Sequence, residues 1–192
     1  LLNSLYGALG NRYFRFFDQR IAEAITLTGQ LTIRWAEYAL NTYLNRVLNN
    51  SKRKDYIVAI DTDSLYVCLD DVIQKFNPEN PINFLDKVAN DMLEPELAKS
   101  YDSLFEILGG VSNRMVMKRE AIADRAIWTA KKRYILNVHD NEGVRYKKPK
   151  LKIMGIEAIK SSTPEPCRDA LKALFNVIIQ KDERETQKAI EL

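Results

Sequence analysis

Tyr56-Ile57-Val58-Ala59-Ile60-Asp61-Thr62-Asp63-Ser64-Leu65-Tyr66-Val67-Cys68-Leu69 is the stretch that decides how this chain is read. Two apolar runs, residues 56–60 and 65–69, flank an acidic tetrapeptide. Both runs are rich in β-branched and aromatic residues and have the length of ordinary strands. The short polar break between them predicts a hairpin with Thr62 and Asp63 near its tip. Such a hairpin buries its strands and holds two carboxylates at the edge of a rigid sheet. In a straight strand Asp61 and Asp63 would share a face; at a turn they diverge. Hard divalent cations take oxygen ligands of this kind. The competing reading is local, because Asp often serves a turn by bonding to nearby backbone. The apolar flanks favour the metal. A helix-loop-helix calcium site is disfavoured, since Leu65, Tyr66 and Val67 stand where further oxygen ligands and a glycine are needed.

Working outward, the N-terminal side reads as helical. A first helix ends near Gly7 or Gly10, and Asp18 caps a second that runs from Gln19 to about Leu48. Its apolar positions Ile21, Ala24, Ile25, Thr28, Leu31, Trp35, Tyr38 and Ala39 follow helical spacing and read as core. On the C-terminal side, residues 70–79 read as loop or short helix. Asn80-Pro81 starts a helix to about Leu93, Pro95 interrupts it, and a second helix runs to Leu108 before Gly109-Gly110. Residues 114–123 and 126–139 read as strands, the second centred on Trp128 and Lys131-Lys132-Arg133-Tyr134. A turn at Asp140-Asn141-Glu142-Gly143 leads to a return strand and then a basic extended stretch, Lys147 to Lys152. Thr163 caps a final helical region, with Pro164 at its first position. The order of elements is α+β: an antiparallel sheet with helices packed on one side.

Composition narrows the class. With 192 residues and 46% hydrophobic content the chain can bury a core. No apolar stretch approaches the length that spans a bilayer, and the first residues do not read as a signal peptide. Cys68 and Cys167 have no metal-ligand spacing and read as reduced thiols. A single histidine, His139, argues against a His-rich zinc site. The net charge of +3 conceals a pattern: residues 61–110 carry 3 basic and 11 acidic groups, while residues 111–160 carry 13 basic and 5 acidic groups, a net +8. A block this basic suits a polyanion, although an ordinary solvated face competes with that reading.

Within the basic block, Lys131, Lys132, Arg133 and Tyr134 put clustered cations beside an aromatic ring. This suits phosphates and a sugar or base face, and it positions a nucleic acid without reading its sequence. An edge strand guarded by lysines is the plainer alternative. Phosphoryl transfer by two metals needs a third acid beyond Asp61 and Asp63. Glu120 is the candidate, and a salt-bridged strand residue is its alternative.

Taken together these residues resemble the family-B DNA polymerases. Asn3-Ser4-Leu5-Tyr6-Gly7 resembles the end of the fingers-helix motif, Asp61-Thr62-Asp63-Ser64 the catalytic hairpin, and Lys131-Lys132-Arg133-Tyr134 the segment that holds the primer-template duplex. All three occur in the family's order. Lys150-Leu-Lys-Ile-Met-Gly155, Ser161-Ser-Thr-Pro164 and Met117-Lys-Arg-Glu-Ala-Ile-Ala123 bring the chain closer still to the polymerases of T-even-type bacteriophages.

The resemblance implies the end of a fingers helix at 1–17, a palm at 18–160 and the start of a thumb at 161–192. It implies Asp63 as the main magnesium-binding carboxylate, Asp61 as a secondary acid and Glu120 as a supporting one. Asn3, Tyr6 and Gly7 would face the incoming nucleotide. Lys131 to Tyr134, with Lys150 and Lys152, would line the duplex. Two Mg2+ ions, deoxynucleoside triphosphates, primer-template DNA, a sliding clamp, replisome proteins and the host cytoplasm follow for the complete enzyme. The chain reads as a fragment, with the fingers lysine and the other catalytic Asp expected upstream and the isolated fragment expected to be inactive. Two departures stand out: Ala59-Ile60 where the family prefers Tyr-Gly, and Lys118 where phage relatives tend to have an acid. From the hairpin alone, a glycosyltransferase that holds a nucleotide-sugar through Asp-x-Asp remains open. So does a non-catalytic nucleic-acid-binding module.

Overall fold

The computed structural model describes residues 2–190, with side chains from Leu5 onward. The chain forms two compact units. The first contains residues 1–79 and 90–117, the second residues 80–89 and 118–192.

The first unit is built on α2 (Gln19–Leu48), preceded by α1 (Leu2–Leu9). Asp18 caps α2 as expected, accepting from the Arg20 N–H at 2.9 Å. At the other end Asn49 adopts the left-handed conformation (φ 56°) that stops a helix. The core face of α2 is not the stripe read from spacing. Ile33, Ala36, Leu40, Leu44 and Leu48 are buried, whereas Ile21, Ile25, Leu31 and Tyr38 are exposed. A helix with apolar residues on adjoining stripes can bury either one, and the partner decides. Here that partner is α5 (Glu94–Ile107), which contributes buried Leu97, Tyr101 and Leu104. The Trp35 indole N–H donates to the Ser100 carbonyl at 2.9 Å across the same contact.

Against α2 lies the predicted hairpin, β1 (Ile57–Asp61) and β2 (Ser64–Val67), paired antiparallel. The register runs from Ile57↔Val67 to Asp61↔Ser64, and a bulge at Val58 puts that valine in solvent. Residues 70–79, read as loop or short helix, contain α3 (Asp70–Phe76).

The helix begun at Pro81 departs from expectation at its break. Asn80 caps α4 (Pro81–Val88) by accepting from the Asn83 N–H at 3.0 Å. A π-helical turn, Ala89–Leu93, then joins it to α5. Pro95 sits in the first turn of α5, where its missing N–H has no intrahelical partner to lose. The proline therefore starts a helix, and the irregularity precedes it.

The second unit holds a three-stranded antiparallel sheet of β3 (Ala121–Ala130), β4 (Arg133–Asn141) and β5 (Val144–Met154), with β4 central. Two strand expectations are corrected. Residues 114–120 alternate between exposed and half-buried, as an extended chain does, but join no ladder; the strand begins at Ala121. The single strand expected over 126–139 is a hairpin, folded back at Lys131-Lys132. Lys132 takes φ 62° there, a conformation that strand propensity does not anticipate. Between β4 and β5, Glu142 (φ 51°) and Gly143 (φ 84°) form the two-residue loop, both with the positive φ of a type I′ hairpin. Ile135 packs with Ile156 and Ile179, joined by Leu151, Ile153 and Phe175, so α6 (Glu165–Gln180) covers the sheet. Pro164, not Thr163, occupies the α6 cap position and no side chain caps it. The chain continues into α7 (Glu183–Ile190).

Candidate functional site

The acidic tip is a two-residue loop. Asp61 and Ser64 are paired, leaving Thr62 and Asp63 as the loop itself. Thr62 takes φ 51°, the positive sign that some two-residue hairpin loops require at their first position. For a β-branched residue this is an outlier, and such strain collects at functional sites. The turn also separates the two acids. Asp61 ends β1 half-buried, and Asp63 stands exposed. Each is steadied by its neighbour: the Thr62 hydroxyl donates to Asp61 at 3.1 Å and the Ser64 hydroxyl to Asp63 at 3.5 Å.

What holds the tip in place is the base of the hairpin. The Asn41 side chain, buried on α2, accepts the Tyr56 N–H at 2.7 Å and donates to Asp55 at 2.8 Å. Asn45 donates to the Lys54 carbonyl and accepts the Lys54 N–H. The Lys54 ammonium pairs with Asp71 at 2.7 Å, and the Tyr56 hydroxyl donates to the same carboxylate at 3.3 Å. Hydrogen bonding by Lys54 holds the Asp71 carboxyl below its usual range. Two amides on one helix thus fix where β1 starts. Neither Asn41 nor Asn45 belongs to a motif, and no local spacing signal marks them.

The remaining nucleotide-side residues lie on α1. Tyr6 is 47% exposed, and a Cβ on Gly7 would meet nothing within 4 Å. Packing inside the described chain therefore does not require glycine at that position. The Asn3 side chain lies outside the described side chains.

The second unit divides the basic residues by what they touch. Lys131 and Lys132 form the exposed loop between β3 and β4. Arg133 turns inward: its Nε donates to the Gly155 carbonyl at 3.1 Å, and its Nη2 pairs with Glu157 at 2.5 Å. With Lys160 first and Arg133 also contributing, the Glu157 carboxyl is held down to about 2. Tyr134 is buried, with its ring 6.3 Å from that of Trp128. Gly155, at φ 66°, lies so close to the loop that a Cβ would collide with the Lys132 carbonyl.

Glu120 lies just before β3 and pairs with Lys152 at 2.5 Å, the salt-bridged arrangement weighed against a metal role. Lys150 sits over the Tyr146 ring at 4.3 Å. Between Val138↔Lys150 and Asp140↔Arg145 the ladder is interrupted, and residues 146–149 swell out of β5. Pro149, which has no N–H to give a ladder, lies in this bulge. Lys147 and Lys148 are exposed on it and make no ion pair among the described residues.

Behind the bulge, Asp140 is fully buried. Arg119 pairs with it, Arg145 donates to it at 2.5 Å and the Gly143 N–H at 3.0 Å. Arg119 and Arg145 also reach Asp86, at 2.6 and 3.1 Å. The turn expected at Asp140-Asn141-Glu142-Gly143 does not include Asp140, which lies in β4. Asp140 is instead the centre of an ion network that holds α4 on the sheet.

The donors at the tip are hard oxygens, and one or two carboxylates are what magnesium takes from protein when water and phosphate complete its shell. Asp61 and Asp63 fit that role. Among the described residues, no group of three or more His, Cys, Asp or Glu side chains could hold a metal ion by itself.

These elements define an α+β protein with an acidic hairpin tip on one unit and a lysine-edged antiparallel sheet in the other. The chain is similar over nearly all of its length to two phage enzymes. It is 43% identical over 197 residues to the DNA-directed DNA polymerase of Escherichia phage RB69, covering 95% of this chain. It is 41% identical over 201 residues to the DNA-directed DNA polymerase of Enterobacteria phage T4, covering 97%. The resemblance to the polymerases of T-even-type bacteriophages is borne out: this chain is a relative of the T4-type phage DNA-directed DNA polymerases. It spans 22% of the length of each of these relatives. No protein-family model matches the chain. No helix among the described residues is long and apolar enough to cross a membrane.

Proposed function

We propose that this chain is the palm-containing segment of a family-B DNA-directed DNA polymerase acting in viral DNA replication. The complete enzyme adds deoxynucleotides to a primer 3′ end under template direction, by two-metal phosphoryl transfer. The observation that carries this reading is the pair of carboxylates at a strained two-residue loop, in a chain more than 40% identical to named DNA polymerases over nearly its full length.

When bound, magnesium would supply charge neutralisation for the triphosphate and the primer oxygen. The chain's own residues would do the rest. Asp63, exposed at the loop, would be the main ligand and Asp61 the secondary one. The Asn41 and Asn45 amides would keep the tip fixed while charge develops near it, so that little reorganisation is needed. Tyr6 and Gly7, with Asn3, would face the incoming nucleotide. Lys131 and Lys132 would meet duplex phosphates. Glu120, Lys150 and Lys152 would support them through the contacts they already make. A sliding clamp, replisome proteins and the host cytoplasm belong to the complete enzyme.

The test uses the hairpin directly. Mn2+ added to the isotopically labelled chain should broaden the amide resonances of residues 61–64 before others, and Asp63→Asn should remove that effect. Uniform broadening across the acidic helices instead would refute the metal assignment. In the complete enzyme, Asp63→Ala should abolish primer extension while largely sparing duplex binding.

A further inference from the structure

A second concave site lies on the first unit, away from the acidic tip. An open groove of about 420 Å³ is lined by Arg34, Glu37, Tyr38, Arg53, Lys54 and Asp55, with Asn41 at its floor. Its volume falls in the range of small-ligand sites, about 300–1,000 Å³. Asp55 precedes β1 and Asp61 ends it, so at about 3.3 Å per residue the groove sits roughly 20 Å from the tip.

Most of its charges are already matched within the unit. Arg34 pairs with Glu37 at 2.8 Å, Lys54 with Asp71 at 2.7 Å, and Asp55 accepts from Asn41 and the Ile57 N–H. Arg53 differs. It makes no ion pair among the described residues, and its guanidinium lies 5.3 Å above the centroid of the Tyr38 ring. That ring is 59% exposed. A flat aromatic face carrying a guanidinium matches a base with its phosphate beside it. In a duplex the bases are stacked inside and offer only their edges, so a ring in a groove reaches a base only on an unpaired strand.

We propose that this groove binds one unpaired nucleotide of single-stranded DNA. The base takes the place of the Arg53 guanidinium on the Tyr38 ring, and the displaced Arg53 meets the phosphate with Arg34 beside it. The choice of DNA as ligand rests on the polymerase reading, in which template ahead of the duplex is unpaired; the groove itself does not. The contact gives the template strand a second hold, distinct from the basic sheet edge of the other unit.

The full chain can be titrated by fluorescence anisotropy with labelled oligothymidylate of about 12 nucleotides, and separately with a blunt duplex. Tyr38→Ala and Arg53→Ala should each weaken single-strand binding about tenfold and leave duplex binding within about twofold. Tyr38→Phe should retain wild-type affinity. An oligonucleotide carrying iododeoxyuridine should photocross-link to the peptide containing Tyr38. Both variants are at exposed positions, and circular dichroism checks that each folds. Unchanged single-strand affinity in both variants overturns the proposal, as does an equal loss of single-strand and duplex affinity. Competition by free thymidine monophosphate as strong as by the oligonucleotide, per site, would also overturn it in favour of a nucleotide pocket. Duplex binding without single-strand binding sinks the groove alone. Loss of both in the wild-type chain sinks the polymerase reading as well.

Discussion

The buried side chain of Asn41 accepts the backbone N–H of Tyr56 at 2.7 Å, and so joins the longest helix to the first residue of the hairpin stretch. The same amide donates to Asp55 at 2.8 Å, which leaves both its polar atoms engaged. A buried amide satisfied on both sides specifies register, because any slip leaves two groups without partners. Asn41→Ala should therefore destabilise the chain by about 2 kcal/mol in urea unfolding. Tyr56 amide exchange should quicken more than exchange elsewhere in the hairpin. Wild-type protection at Tyr56 would show that Asn41 does not set the strand.

Gly155 makes a comparable contact in the second unit. Its φ of 66° is left-handed, and a Cβ would strike the Lys132 carbonyl. Gly155→Ala should cost about 2–3 kcal/mol, combining the conformational penalty with the overpacking. Gly143→Ala is the control, since it shares a positive φ but a Cβ there meets nothing within 4 Å. Equal losses at both positions would mean that the collision contributes nothing.

The Asp140 network gives stability a pH dependence with a definite sign. Burial pushes the Asp140 carboxyl up, but hydrogen bonds from Arg119, Arg145 and the Gly143 N–H outweigh it and hold the carboxyl below its ordinary value. A depressed folded value means stability that is fully present above the unfolded value, near 3.9, and lost as pH falls through the folded one. Asp140→Asn should cost about 3 kcal/mol at neutral pH, because it removes the buried partner and leaves two arginines sharing Asp86, and it should flatten the acid limb of the stability curve. An unchanged acid limb would assign that limb to other carboxylates.

The basic residues should separate by assay. Lys131→Ala should weaken primer-template binding and reduce the salt slope by about one, with little change in melting temperature. Arg133→Ala should lower the melting temperature, because its guanidinium is committed to Gly155 and Glu157. If Arg133→Ala instead changed the salt slope and spared stability, Arg133 would belong to the DNA surface.

Asp63→Asn should leave stability within about 0.5 kcal/mol, since the side chain is exposed and, among the described residues, accepts a long bond from Ser64 alone. Loss of metal response without loss of fold is the expected signature. A large stability change would make Asp63 a turn residue first.

The hairpin, the capped start of α2 and the α+β order were legible from sequence, because they rest on local chemistry. Alternating β-branched runs, an Asp before a helix and an Asn-Pro start act within a few residues. The motif order was legible too, and it pointed to the polymerases that the chain proves to resemble. Tertiary structure decided which of two adjoining stripes α2 buries, because only the position of α5 chooses between Ile33-Ala36-Leu40 and Ile25-Leu31-Tyr38. It also decided that Lys131-Lys132 is a loop, that Arg133 and Tyr134 turn inward, and that Asp140 is buried among arginines. For the buried face of α2, and for Arg133, Tyr134 and Asp140, deciding partners lie five or more residues away in sequence, and no spacing rule reports what such a partner will do. For the Asp61–Ser64 tip, sequence determined the acids and the turn. The fold supplied the asymmetry between Asp61 and Asp63, and the paired asparagines that hold both in place.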